Sequence, residues 1–182
     1  PFISSCPFTS SRSYIFFCIL PRHASEAYWE EIEQGARRAV EQRRDFHIAV
    51  KFMYYERFNV KSFRETFKKC LAENPDGVVV VPAELDVTRE FTDKLHESGT
   101  PFILLDSYMP DLNPLSFFGQ DSFQSGFFAA KMLMLVAHDE KEIMFMKQTK
   151  NGRVGSKQQA NREVGFRHYM KDHFPDVKIS EI

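Results

Sequence analysis

Seven side chains that can stack on a small molecule or hydrogen-bond to one come at or after the ends of predicted strands: Tyr28, Trp29, Asp106, Ser107, Asp121, Ser122 and Arg162. Carboxylate and guanidinium groups form charge-assisted hydrogen bonds, and aromatic rings line the apolar parts of ligand sites. The carboxyl ends of parallel strands share one edge of a sheet, where such sheets bind ligands. The pattern therefore predicts a small-molecule site at that edge.

Each of these residues also has a purely structural interpretation. Tyr28 and Trp29 could both pack into the core. Asp106 could cap the turn that follows it. Asp121 could be the N-cap of the next helix, since Asp is favoured there, and Arg162 could be a solvated side chain. Taken singly, none of them distinguishes a binding site from a structural role.

The sequence lacks the motifs of the common enzyme and cofactor sites. The loop after the first strand, 21–25, holds no Gly-x-Gly-x-x-Gly, and the glycines at 152 and 155 do not have the spacing of a phosphate-binding loop. No nucleophile elbow of the Gly-x-Ser-x-Gly type occurs, and the six His have no metal-ligand spacing. We therefore expect no catalytic residue, no cofactor and no metal.

Composition excludes some partners. The net charge is −1, so the chain has no basic excess for gripping nucleic acid directly. Its apolar runs fall short of the ~18 residues of a membrane span, so no membrane partner is expected. Three cysteines without a Cys-x-x-Cys pair favour two buried thiols, Cys18 and Cys70, and one loose thiol, Cys6, over a metal or redox site.

The elements that must position the seven residues alternate between short apolar strands and amphipathic helices. Strands are predicted at 14–20, 46–54, 78–81, 102–105, 115–118, 142–147 and 177–179. Helices are predicted at 25–43, 60–73, 122–137 and 157–172, with one more that begins at an Asp86 cap and ends at Gly99. This alternation predicts an α/β fold, a parallel sheet with helices on both faces. The helix at 122–137 is apolar nearly all round, which predicts deep burial or a partner.

The same pattern predicts the domain organisation. A link rich in Pro, Asn and Asp at 109–114 interrupts the alternation and is predicted to contain no helix. We place a boundary near 119–121, where a strand ends and a helix starts. The expected regions are a disordered or non-native segment at 1–13, a nearly complete first α/β lobe at 14–119, and the truncated start of a second lobe at 120–182.

Five segments resemble those of one family. The first three are an aromatic pair leading into a Gly-Ala helix at 28–36, Asn-Pro-Asp-Gly before a valine strand at 74–82, and a Gly-Thr-Pro strand ending in Asp at 99–106. The other two are an Asp-Ser helix start at 121–129 and Arg-Glu-Val-Gly-Phe at 162–166. In this order they resemble the periplasmic-binding-protein-like sugar-sensing domains of LacI-type transcriptional regulators and the ribose-binding-protein group of receptors.

The resemblance implies a role for each matching residue. Tyr28 and Trp29 would stack on a sugar ring. Asp106 would accept hydrogen bonds from sugar hydroxyls, and Ser107 stands where a basic residue is common. Arg162 would donate to the ligand from the second lobe.

The match at the second lobe's first helix is less close. Asp121 and Ser122 stand at the family's Asp-Asn helix start, with Ser in the place of Asn. In the family the ligand lies in a cleft between two lobes that closes by hinge motion.

The resemblance implies a sugar-sensing domain of a cytoplasmic LacI-type regulator. DNA would be contacted only through a helix-turn-helix headpiece outside this chain, and the full-length protein would be a homodimer. Two alternatives stay open: a periplasmic sugar receptor for transport or chemotaxis, and a flavodoxin- or Rossmann-like enzyme.

Overall fold

The computed structural model describes residues 12–22, 27–147, 149–150, 153–154 and 157–182. The strands are β1 Tyr14–Arg22, β2 Ile48–Glu56, β3 Gly77–Val80, β4 Phe102–Leu105, β5 Ser116–Phe118, β6 Glu142–Phe145, β7 Thr149–Lys150, β8 Arg153–Val154 and β9 Lys178–Glu181. The helices are α1 Ala27–Gln42, α2 Val60–Ala72, α3 Leu85–Glu97, α4 Ser122–Val136 and α5 Lys157–His173, with 3-10 turns at Arg44–Phe46 and Pro110–Leu112. The chain divides into two compact units, unit 1 at Pro1–Phe118 and unit 2 at Gly119–Ile182.

Unit 1 contains a five-stranded parallel sheet in the order β2-β1-β3-β4-β5. The strand order reverses between β1 and β3, and in sheets of this kind the crevice at that reversal, beyond the carboxyl ends of the strands, is where ligands bind. The predicted α/β fold with a parallel sheet is confirmed.

The apolar run of β1 is explained by helices on both faces of the sheet. Phe17 and Ile19 belong to the larger core cluster, which includes side chains of α2 and α3. Cys18 and Leu20 point to the other face and pack with Trp29 of α1. A strand that is covered on both faces needs apolar residues at every position rather than at alternate ones.

Aromatic rings fill the α2 and α3 side of unit 1. Phe67 stacks on Phe91 with ring centroids 5.2 Å apart, and Tyr55 meets Phe63 edge-on at 4.8 Å. Pairs in these geometries stabilise a fold beyond the area they bury. Phe thus supplies five of the fourteen buried side chains of the larger core cluster.

Unit 2 joins a parallel pair of strands, β6 and β9, to the packed helices α4 and α5. The helices cross with backbone against backbone. A Cβ added to Gly126 would lie 1.8 Å from the carbonyl oxygen of Arg162, and one added to Gly165 would lie 2.0 Å from that of Phe123. Only glycine permits so close an approach.

Helix α4 buries one stripe and exposes another. Its buried residues recur every four positions, at Ser122, Gly126, Ala130 and Met134. Four large apolar side chains on it are instead between 48% and 85% exposed: Phe128, Met132, Leu135 and Val136. Of the two predicted alternatives, deep burial of this helix is therefore wrong, and its contact with a partner stays a prediction.

Several local predictions need correction. Helix α3 begins at Leu85 with Glu84 in the N-cap position, so Asp86 lies in its first turn and is not the cap. Phe46 belongs to a 3-10 turn and β2 begins at Ile48, after His47 adopts a left-handed backbone. The link at 109–114 does contain a short 3-10 turn.

The buried thiols are confirmed for Cys18 and Cys70, which are unpaired, and burial raises the pKa of each to about 12. Cys6 and the glycines at 152 and 155 lie outside the described residues. Within the described part, no helix is long and apolar enough to cross a bilayer.

Candidate functional site

Asp106 stands at the carboxyl edge of the unit 1 sheet, directly after β4. Its backbone is left-handed, with φ of 66°, a conformation that Asp tolerates better than most residues. The Asp106 N–H donates to the carbonyl oxygen of Phe118 at 2.8 Å. This bond to β5 holds the backbone of Asp106 at the end of the ladder and sets the direction of its carboxylate.

Two hydroxyl groups of the protein donate to the Asp106 carboxylate. Tyr28 Oη lies 3.1 Å from Oδ1, and Ser107 Oγ lies 3.2 Å from Oδ2. Helix α1 after β1 and the turn after β4 thus bring three of the predicted site residues together. The arrangement shows a carboxylate whose two oxygens both accept from hydroxyls, the chemistry expected of a polyol site.

The aromatic pair divides between the surface and the core. Tyr28 is 52% exposed, whereas Trp29 is 9% exposed and packs with Cys18, Leu20 and Val81. The two rings meet edge to face with centroids 4.8 Å apart. The interpretation that both rings pack into the core is wrong for Tyr28 and right for Trp29. The buried Trp29 ring packs against the Tyr28 ring, and the stacking of Trp29 on a ligand stays a prediction.

The predicted residues at the start of α4 have clear structural roles. Asp121 is the N-cap, and its Oδ1 accepts from the backbone N–H of Gln124 at 3.0 Å. Ser122 is the first residue of the helix and is 8% exposed. The N-cap interpretation of Asp121 is confirmed.

Arg162 is exposed on α5 and reaches the segment before α4. Its Nη2 donates to Gln120 Oε1 at 3.3 Å. The close crossing at Gly126 accounts for this proximity, because it brings the Arg162 backbone against α4. Unit 2 therefore groups Arg162 with Gln120, a residue that sequence reasoning did not select and whose only signal was its place beside Asp121.

A network of alternating charges supports α5 beside Arg162. Lys147 Nζ lies 2.9 Å from Glu163 and 2.9 Å from Glu181. Arg167 Nε lies 2.7 Å from Glu163, and its Nη2 also pairs with Glu181. Burial raises the pKa of Glu163, but hydrogen bonds from Lys147 and Arg167 outweigh it and leave that pKa below its ordinary value. The network ties α5 to the ends of β6 and β9.

No metal centre is evident in the part of the chain that the structure describes. No group of three or more His, Cys, Asp or Glu side chains there could hold an ion. The candidate residues of unit 1 offer carboxylate, hydroxyl and aromatic groups, and unit 2 offers the Arg162 guanidinium.

A family profile described as "Periplasmic binding protein domain" matches residues 16–181. The chain belongs to the periplasmic binding protein family. The family-level resemblance predicted from five motifs is therefore confirmed. The members and neighbours that match it are binding proteins and a candidate regulator rather than enzymes.

Solved structures of the periplasmic binding protein type match the chain over most of its length. A candidate LacI transcriptional regulator from Bacteroides fragilis is 43% identical, covers 93% of this chain and has a TM-score of 0.83. A sugar-binding protein of a sugar ABC transporter from Bacillus halodurans is 18% identical over 93% of the chain, with a TM-score of 0.79. A glucose-galactose binding protein from Geobacillus stearothermophilus is 18% identical over 94%, with a TM-score of 0.78.

The chain spans 59%, 56% and 58% of the lengths of these three proteins. At 18% identity the two sugar-binding proteins show a shared fold and no more. No curated protein matches the chain by sequence.

Proposed function

We propose that this chain is the effector-binding domain of a LacI-type transcriptional regulator whose effector is a small carbohydrate. The observation that carries the proposal is the 43% identity, over 93% of the chain, to the candidate LacI regulator of Bacteroides fragilis. The sugar receptors that share the fold are far less similar, at 18% identity for the two described above.

The chemistry of unit 1 supports a carbohydrate. Tyr28 and Ser107 place hydroxyl oxygens 3.1 and 3.2 Å from the two Asp106 carboxylate oxygens. A ligand hydroxyl can take the same positions, because it offers the same donor to the same acceptor. The exposed ring of Tyr28 can then cover the C–H face of a sugar.

The role of unit 2 follows from the family resemblance. By that resemblance Arg162 donates hydrogen bonds to the same ligand. An Arg guanidinium presents several donors in one plane, which suits adjacent hydroxyl oxygens. Roles for Trp29, Asp121 and Ser122 as ligand contacts are part of the same proposal.

A regulator would convert sugar binding into a change in DNA affinity. The ligand would favour one of two arrangements of the domain, and the coupling would be about 1–3 kcal/mol in proteins of this kind. DNA would be bound by a separate headpiece in a cytoplasmic homodimer.

The test uses the protein produced from its complete coding sequence. Calorimetry would measure binding of D-glucose, D-galactose, D-tagatose and D-arabinose, sugars named for proteins that share this fold. Fluorescence anisotropy would then measure binding to labelled DNA from its own promoter region, with and without each sugar. We expect one sugar to change DNA affinity about five- to 150-fold. A protein that binds none of these sugars would refute the proposal.

Asp106→Asn provides the sharpest site variant, because Asn also tolerates the left-handed backbone. It keeps the shape of the side chain, removes the charge and replaces one acceptor oxygen with an NH2 donor. We expect it to weaken sugar binding at least about tenfold, and Asp111→Asn to leave it unchanged. Equal affinities for the two variants would remove Asp106 from the site.

A periplasmic sugar receptor is the second candidate. The observation that favours it is the shared fold of several sugar-binding proteins of ABC transporters. Sugar binding without any effect on DNA would select this candidate over the regulator.

A further inference from the structure

Five non-glycine residues in the described part of the chain have a left-handed backbone: His47, Phe58, Asn74, Asp106 and Asn113. Three of them follow helices. His47 and Asn113 are the C-caps of the two 3-10 turns, and Asn74 comes just after the C-cap of α2. Left-handed residues are common at such positions, so these three need no further explanation.

The remaining two, Phe58 and Asp106, both come at the carboxyl ends of parallel strands, after β2 and β4. Their φ angles are 64° and 66°. Asp tolerates this conformation, whereas for a bulky side chain such as Phe it is a marked outlier. Backbone strain of this kind persists where the surroundings enforce it and is concentrated at ligand sites.

Hydrogen bonds on both sides enforce the conformation of Phe58. Asn59 N–H donates to Glu56 O at 3.0 Å, and Asn59 Nδ2 donates to Glu56 Oε2 at 2.7 Å. Asn59 Oδ1 in turn accepts from Ser62 N–H at 3.0 Å as the cap of α2. The strand end and the helix start are thus joined around Phe58, whose ring is 57% exposed. The ring belongs to none of the core clusters of the described residues.

Arg57 accompanies the exposed ring. Its guanidinium carbon lies 5.1 Å from the Phe58 ring centroid, within the range of a cation–π contact. The pair combines an apolar face with a planar set of hydrogen-bond donors.

Tyr55 relates this pair to Asp106. Its hydroxyl donates to Val81 O at 3.0 Å and so joins the ends of β2 and β3. Burial raises the pKa of Tyr55, the positive charge of Arg57 lowers it, and the negative charge of Asp106 raises it. Arg57 and Asp106 therefore both lie within electrostatic reach of one hydroxyl at the carboxyl edge of the unit 1 sheet.

We propose that Arg57 and Phe58 contact the same ligand as Asp106, with the Phe58 ring covering an apolar face and Arg57 donating to a ligand oxygen. This inference rests on the proposed function. Exposed rings after β1 and after β2, Tyr28 and Phe58, select a cyclic sugar over its acyclic alditol, because only a closed ring offers a flat C–H face.

Calorimetry on the protein from its complete coding sequence tests the inference. The probes are D-glucose, D-galactose, D-tagatose and D-arabinose, each with its alditol. Phe58→Ala is compared with Phe46→Ala, a matched control: Phe46 is 52% exposed, carries the Arg43 guanidinium 5.7 Å from its ring, and precedes β2 at the opposite end of the strand.

We expect Phe58→Ala to weaken binding of the tightest-binding sugar about tenfold. The same variant should lower the ratio of the affinity for that sugar to the affinity for its alditol. Phe46→Ala should change sugar binding less than about twofold. We also expect Phe58→Gly to raise Tm while weakening binding, because glycine relieves the left-handed strain.

Two results would overturn the inference while the proposed function stands. One is equal sugar affinity for Phe58→Ala and Phe46→Ala when Asp106→Asn weakens binding at least about tenfold. The other is a lower Tm for Phe58→Gly, which would give Phe58 a structural role. A wild-type protein that binds none of the four sugars would overturn the proposed function and this inference together.

Discussion

Unit 1 and unit 2 hold their candidate site residues by different physical means. In unit 1 the support is side-chain volume. Trp29 packs in a core cluster, and its ring meets the exposed Tyr28 ring edge to face. In unit 2 the support is the absence of side-chain volume: Gly126 and Gly165 let α4 and α5 touch backbone to backbone beside Arg162. Unit 1 should therefore be damaged most by removing atoms, and unit 2 by adding them.

The largest expected effect comes from removing volume in unit 1. Trp29→Ala should lower the free energy of unfolding by about 3 kcal/mol, since it empties a packed cluster. Tyr28→Ala, which trims an exposed ring, should cost less than about 1 kcal/mol. Urea titrations followed by circular dichroism measure both, because Trp29 is the single Trp of the chain and its loss removes the fluorescence signal. Similar costs for the two variants would contradict the division between a buried and an exposed ring.

Adding one methyl group in unit 2 should have the next largest effect. Gly126→Ala should cost about 2 kcal/mol, because the new Cβ overlaps the Arg162 carbonyl and the helices must separate. Gly35→Ala on α1 is the control: apart from its chain neighbours and the backbone of its own helix, no atom lies within 4 Å of the added Cβ. This variant should therefore stabilise the protein by about 0.5–1 kcal/mol. Urea titration of both variants checks the opposite signs, and a Gly126→Ala variant as stable as wild type would refute the close crossing.

The charge network of unit 2 should contribute less than either packing feature. Glu163→Gln removes one of the two carboxylates that Lys147 and Arg167 share and leaves them Glu181. The change should cost about 1 kcal/mol. Glu97→Gln, which breaks an exposed pair with Lys94 within α3, should change stability by less than about 0.5 kcal/mol. Thermal unfolding of the two variants compares them directly, and equal shifts would mean that the network acts as an ordinary surface pair.

The smallest expected effect is a pH dependence with a defined sign. The folded-state pKa of Glu163 lies below its ordinary value of 4.5. Its charge therefore stabilises the fold above the unfolded-state pKa, and that contribution is lost as pH falls through the lower, folded-state value. The stability difference between wild type and Glu163→Gln should be full near about pH 6 and should shrink toward about pH 3. Urea titrations at the two pH values measure it, and a difference that grows on acidification would be the wrong sign.

The sequence predicted the elements of both units well because their apolar spacing is regular. The position of Asp106 at a strand end followed directly from the Phe-Ile-Leu-Leu run before it. The sequence did not show that Tyr28 is exposed and Trp29 buried. Residues adjacent on a helix point about 100° apart, and nothing in the two ring types indicates which of them faces the sheet.

Other features depend on partners far apart in the chain. Glycines inside helices indicate only lower helix propensity, so Gly126 and Gly165 gave no sign that they face carbonyl groups about 40 residues away. Within the charge network, only Glu163 and Arg167 have the four-residue spacing that a sequence reveals. Lys147 and Glu181 join it through the fold.

The two buried thiols lie on opposite faces of the unit 1 sheet, Cys18 on β1 against Trp29 of α1 and Cys70 on α2 in the larger core cluster. A shielded thiol with a raised pKa reacts with alkylating reagents only when its surroundings open. With Cys6 replaced by Ser, one variant retains only Cys18 and another only Cys70. The labelling rate of each variant then reports how fast one face of the sheet opens. Labelling rates from the two would tell whether the helix layers detach together or one at a time.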